Sequence, residues 1–307
     1  MFQKTTSPVN NTNRYNPNGY VVFSVLWLTV FCLYFPAAKA GLVADFTGWL
    51  DQVRNHSFLE NLNRTNYKVQ SLYQFTQFVT YVFYLLFGAN DWLWHLLFVT
   101  LQAVNAYLLY LLVHRLLSDV NILGSKVISF TGTLLFCISP YISEVVVWEP
   151  SFHYLQGLLL LLLILLWVQR YAVTGEKKYA VWAGIIFLLS TFALEIFYIT
   201  PWLILTLAFY YRLQPAYGKR IFNGIVTLFF IPALLLFAAH LAEYRLFYGT
   251  WVAHISSDNK VAVTIGSFGK PAKYLFHLLF LGRFFPHNVK QKIYGICDST
   301  AGVVLFY

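Results

Sequence analysis

Charge is what this chain most lacks. Asp, Glu, Lys and Arg make up 11% of its 307 residues, against about a quarter in soluble domains. With 59% hydrophobic residues and a mean hydropathy of +0.60, that scarcity excludes an ordinary soluble globular fold. Cysteine is nearly absent too. Cys32, Cys137 and Cys297 lack metal-ligand spacing and the first two lie in apolar runs, so neither a disulfide framework nor a zinc site is indicated. The sequence has no Walker A loop, no G-x-S-x-G, no H-E-x-x-H and no dinucleotide glycine fingerprint, which argues against ATP-driven transport and the commonest soluble enzyme chemistries. The formal net charge of +9 is spread in short basic clusters between apolar runs. Membrane topology explains that pattern better than nucleic acid does.

What is present is a series of apolar runs near the 20 residues or so that a helix needs to cross a bilayer. They fall at about Tyr20 to Ala37, Trp92 to Val113, Val127 to Val147, the run beginning "LQGLLLLLLILLWVQRY", and Ile221 to Ala242. From Val181 to Tyr211 the only charge is Glu195, with Pro201 six residues beyond it, which fits two spans with a turn near Glu195. Basic residues at Arg115 and Lys126, at Lys177 and Lys178, and in "YYRLQPAYGKR" mark cytoplasmic loops. The predicted architecture is therefore all-α, a polytopic transmembrane bundle. A cytoplasmic segment occupies residues 1–19 and a multi-pass domain residues 20–307, with a first outer loop at 41–90 and a late outer loop at 243–273. "AAKAG" resembles a signal-peptidase site, but the first span is expected to stay as an anchor. The aromatic-rich "LYQFTQFVTYVFYLLFGAN" is expected to form an interfacial helix in the first outer loop. The last apolar run stops at Tyr307 without a flank, as in a C-terminally truncated chain.

On this topology Asp45, Glu144, Glu149, His153 and Glu195 all fall near the outer ends of helices. Ionisable groups in such segments are costly and usually line a cavity or path. A carboxylate there can act as general base towards an acceptor hydroxyl, or hold a cation that neutralises a phosphate leaving group. The plainer readings are helix capping for Glu144 and Glu149, a structural hydrogen bond for His153, an ion pair for Glu195 and a solvated loop position for Asp45. Arg54 and Arg64 follow Asp45, and Arg245 opens the late outer loop. Positive charge on the outside runs against the usual bias, and a phosphorylated lipid would account for it, although anionic headgroups are the simpler partner.

Longer phrases carry a family resemblance. "FGANDWLWHLLFVTLQAVNAYLLYLLVHRLL", Phe87 to Leu117, is similar to a phrase of the GT-C superfamily of polyprenyl-phosphate-sugar-dependent glycosyltransferases, in particular its O-mannosyltransferase-like branch. "LLFCISPYISEVVVWEPSFHYL" places Glu144 and Trp148 on the Glu and Trp of the next family phrase, and "FALEIFYITPWLIL" places Glu195 on the Glu of a later one. The likeness covers most of the chain from Gly41 to about Arg212. Departures are Gln102 at the second histidine, Ser139 before Pro140, Leu194 before Glu195, and a single acid, Asp45, where the family often has two.

The resemblance implies a membrane glycosyltransferase in a bacterial inner membrane, its N-terminus cytoplasmic. Sugar would pass from a lipid-linked phosphate to a glycan, lipid or protein acceptor at the outer face. Asp45, Glu144 and Glu195 are the expected catalytic residues, and Glu149, His153, Arg54, Arg64 and Arg245 the expected donor-binding residues. No cofactor is firmly expected, a divalent cation is left open, and no nucleic acid is expected. A lipid-linked glycan flippase and a surface-polysaccharide polymerase or ligase are the competing expectations.

Overall fold

The computed structural model describes residues 18–62, 74–120, 122–193, 195–215, 217–248 and 286–298, and every element among them is helical. Helix α1 (Asn18–Tyr34) runs into a 3-10 turn at Phe35–Ala40, and α2 (Ala44–Asn55), α3 (Gln74–Phe87) and α4 (Asp91–Asp119) follow. Then come α5 (Ser125–Ile138), α6 (Pro140–Val147), a 3-10 turn at Glu149–Ser151 and α7 (Phe152–Thr174). Helix α8 (Lys178–Ser190), a 3-10 turn at Glu195–Ile199, α9 (Thr200–Leu213), α10 (Gly218–Ile225), a π-helical turn at Val226–Phe230 and α11 (Ile231–Tyr248) complete the first compact unit, Met1–His254. The second unit, Ile255–Tyr307, contains α12 (His287–Asp298).

Among the described residues four stretches are long and apolar enough to cross a membrane: Gly19–Ala40, Asp91–Asp119, Glu149–Thr174 and Lys219–Glu243. At 1.5 Å per residue each reaches across about 30 Å of hydrocarbon. The chain reads as a membrane-embedded, multi-pass helical protein. Burial grades the spans, with 44% of the most apolar window of Asp91–Asp119 enclosed. Within its most apolar window, 67% of Glu149–Thr174 is enclosed, against 22% for Gly19–Ala40 and for Lys219–Glu243. Helix α7 is thus the central post, and the other two turn most of their surface outward, where lipid would cover it.

The expected span from Val127 to Val147 is broken. Helices α5 and α6 meet at a bend of 60°, because Ser139, which precedes Pro140, is extended at φ −61° and ψ 128°. A residue before proline is steered away from the helical region, and proline has no N–H to continue the ladder. The Cys137 carbonyl, freed near the break, accepts a hydrogen bond from the Tyr34 hydroxyl at 2.6 Å. The predicted turn near Glu195 is present: α8 stops at Ser190, and α9 begins at Thr200 with Pro201 in its first turn. Proline is well tolerated there.

Two apolar clusters hold the unit. One joins α7, α8, α9 and the π-helical turn around Ile164, Phe187, Phe197 and Ile204; the other joins α1, α2 and α4 around Leu26, Phe46, Trp94 and Phe98. Gly224 in α10 faces the hydroxyl end of the Tyr171 side chain. A Cβ there would overlap the hydroxyl and come within 2.9 Å of Cζ, so only glycine allows the approach.

Candidate active site

The first loop turns back onto the bundle through α2. Phe46, Leu50 and Val53 fall on one helical face and are buried. Phe46 is fully enclosed, its ring 5.0 Å from Trp94 and 5.7 Å from Phe98 in edge-on contacts. This anchor leaves the opposite face, with Asp45, Thr47, Gly48, Asp51 and Arg54, open. Asp45 stands in the first turn of α2, where the helix N-terminus favours a carboxylate.

A buried pair fixes where that helix starts. His95 on α4 and Glu149 at the head of α7 meet at 3.0 Å, with side chains 2% and 1% exposed. The second Glu149 oxygen accepts the Val43 N–H at 3.4 Å, immediately before α2. On its other side, His95 Nδ1 is 3.0 Å from the Asp91 carbonyl. A carbonyl can only accept, so Nδ1 carries a proton, and a second proton lies on the line between Nε2 and Glu149. Three segments distant in sequence are thereby tied at one point. Glu149, expected to bind donor, is instead enclosed with both oxygens engaged.

The remaining expected residues are placed as follows. His153, half-buried in the first turn of α7, lies 6.4 Å from the Trp49 ring of α2 and 4.4 Å from Tyr154. Glu144 is exposed on α6. Glu195 begins the 3-10 turn Glu195–Ile199. The segment leading to that turn is bound to the first loop. The Phe75 N–H donates to the Phe192 carbonyl at 3.0 Å, and the Thr76 hydroxyl lies 3.3 Å from the Ala193 carbonyl and 2.8 Å from Gln156 Oε1 on α7. Helix α3 therefore brings the Glu195 turn to the end of the bundle that carries α2. Arg245 is exposed near the end of α11, five residues past His240, whose ring packs against Phe197 and Tyr198 of the Glu195 turn. Arg64 lies outside the described residues.

Two hollows open at this end. The first, ≈ 430 Å³, is lined by Thr47, Gly48, Leu50, Asp51 and Arg54 of α2 with Tyr84 and Ala89. It brings Arg54 into a cleft with a second acid, Asp51, which accepts from the Asn55 amide at 2.9 Å. The second, ≈ 450 Å³, is almost wholly apolar, lined by Phe58, Leu62, Phe75, Phe78, Leu189 and Phe192 together with Gln74. Sequence reasoning missed His95, although it stands in the family-like phrase, and His240, an isolated histidine in an apolar span. Such a histidine is itself a signal. Among the described residues no three His, Cys, Asp or Glu side chains gather as a metal site. No protein-family model, curated protein or solved structure matches the chain.

Proposed function

We propose that the chain is a GT-C-type membrane glycosyltransferase that moves a sugar from a polyprenyl-phosphate donor to an acceptor hydroxyl at the outer face of a bacterial inner membrane. The N-terminus would then be cytoplasmic. The observation that carries this reading is α2: an exposed acid, Asp45, on a helix whose start is held by the buried Glu149–His95 pair and whose open face borders a cleft containing Arg54. Rigid support of a reacting group is what catalysis requires.

In this mechanism the Asp45 carboxylate takes the proton of the acceptor hydroxyl as its oxygen attacks the anomeric carbon. The bond from that carbon to the phosphate oxygen breaks, both electrons stay with the phosphate, and the configuration inverts. Arg54, with Arg64 of the same first outer loop and Arg245 of the late one, balances the charge of the departing polyprenyl phosphate, a task suited to guanidinium forks. Glu144 and Glu195 would orient the acceptor and sugar. The apolar hollow beside α3 suits part of an isoprenoid chain. His153 and Glu149 would serve through the placement of α2 rather than by meeting the donor.

The test is sugar release from a panel of polyprenyl-phosphate sugars by purified protein, with crude acceptor present. Wild type should turn over at least one donor, and Asp45→Asn should lose roughly 10²–10⁴-fold in rate, as expected for a general base, while donor binding is retained. Turnover by Asp45→Asn equal to wild type would remove Asp45 from this role. Movement of a lipid-linked glycan across the membrane without any transfer would favour the flippase instead.

A further inference from the structure

The opposite end of the bundle carries a second arrangement of charge that the transfer reaction does not use. Arg115 stands four residues before the end of α4, and Arg170 four residues before the end of α7. The two helices pack against each other and run in the same direction, with His95 meeting Glu149 near their heads. The arginines consequently reach a common level, and Arg170 acts on Arg115 as a like charge. Both are half-buried.

Among the described residues little offsets them. Neither arginine is within 4.0 Å of a described carboxylate, unlike His95 with Glu149 or Lys178 with Glu176. Asp119 is the acid that acts on Arg115, and its Oδ2 accepts from the buried Tyr211 hydroxyl at 3.4 Å. Two guanidiniums against one carboxylate leave one unit of positive charge, in a place where water is restricted and an uncompensated charge is costly. Exposed Lys126 and Arg115 both act on His114 as like charges. Around this end apolar side chains are left open, with Leu123 96%, Leu213 82% and Val173 46% exposed. A soluble anion gives such a rim no partner, whereas acyl chains would cover it.

We propose that Arg115 and Arg170 form a binding site for the phosphodiester of an anionic phospholipid. The single negative charge of a phosphodiester matches the residual positive charge. Two planar forks can each address its non-bridging oxygens, and the lipid chains lie along the open rim. The site stands independently of the transfer reaction at the other end.

The experiment is native mass spectrometry of the purified full chain in mild detergent, titrated with phosphatidylglycerol, phosphatidylcholine or inorganic phosphate. Wild type should retain phosphatidylglycerol preferentially. Arg115→Gln and Arg170→Gln should each weaken that binding roughly tenfold, the loss of a charged hydrogen bond. Asp119→Asn keeps an acceptor for Tyr211 and removes the one opposing charge, so it should tighten binding about fivefold. This keeps the proposal testable if an arginine variant does not fold. Equal retention of the two lipids, unchanged affinity in both arginine variants, or no gain in Asp119→Asn would overturn the site. Displacement of phosphatidylglycerol by an equal concentration of inorganic phosphate would overturn the lipid assignment.

Discussion

Replacing His95 by leucine removes one half of a buried pair and leaves the Glu149 carboxyl enclosed without its partner. With the shared proton on His95, the attraction at 3.0 Å is about 5 kcal/mol at an effective dielectric near 20. Desolvation of both groups offsets much of that in the intact protein. In the single variant the loss is uncompensated, and breaking a buried pair costs about 3–5 kcal/mol. Glu149→Leu should cost a similar amount, with the Val43 N–H losing its acceptor as well. The double leucine variant should return close to wild type, because two apolar groups of similar volume replace a satisfied pair at little net cost. The assay is reversible unfolding in mixed micelles, followed by tryptophan fluorescence. If the two single losses simply add in the double variant, or if each is below about 1 kcal/mol, the pair does not hold the first loop as argued. A stable double variant also separates folding from the placement of Asp45, since it keeps the bundle while Val43 has no carboxylate to anchor it.

Two further substitutions test the packing. Gly224→Ala should destabilise by about 1–3 kcal/mol, the usual cost of overpacking, because the added methyl overlaps Tyr171; Tyr171→Phe in the same chain should relieve part of the loss, and thermal unfolding of the single and double variants decides it. Thr76→Val removes the hydroxyl that links α3 to Gln156 and lies close to Ala193. It should cost about 1–3 kcal/mol by leaving buried acceptors unpaired, together with faster proteolysis of the first loop. A protease-resistance profile identical to wild type would show that this hydroxyl does not tether the loop.

The spans were legible because length and hydropathy decide them. Tyr20 to Ala37, Trp92 to Val113 and Ile221 to Ala242 each lie inside an observed stretch that extends only a few residues further. The turn near Glu195 was legible from one charge and one proline. The Val127 to Val147 run is present as a pair of apolar helices, but its 60° bend was not legible, because a hydropathy window does not register that Ser139 must be extended before Pro140. At the site, the acids could be assigned to one end from topology. Their partners could not, since pairing Glu149 with His95 and Gln156 with Thr76 requires knowing which helix faces lie together. That Glu149 is enclosed and uses both carboxylate oxygens on its neighbours was not legible from its place at a helix head.

The bend between α5 and α6 has a mechanical meaning. A proline break in lipid would ordinarily leave carbonyls wanting donors and behave as a soft joint, tolerated only where protein or water supplies them. Here the Tyr34 hydroxyl reaches from the end of α1 to the Cys137 carbonyl, so the corner is braced from outside its own helix. The brace converts a flexible joint into a fixed bracket. Helix α6 and the Glu149 turn are carried at a set angle, and the registration of the first loop depends on a hydroxyl more than a hundred residues away from the carboxylate that grips it.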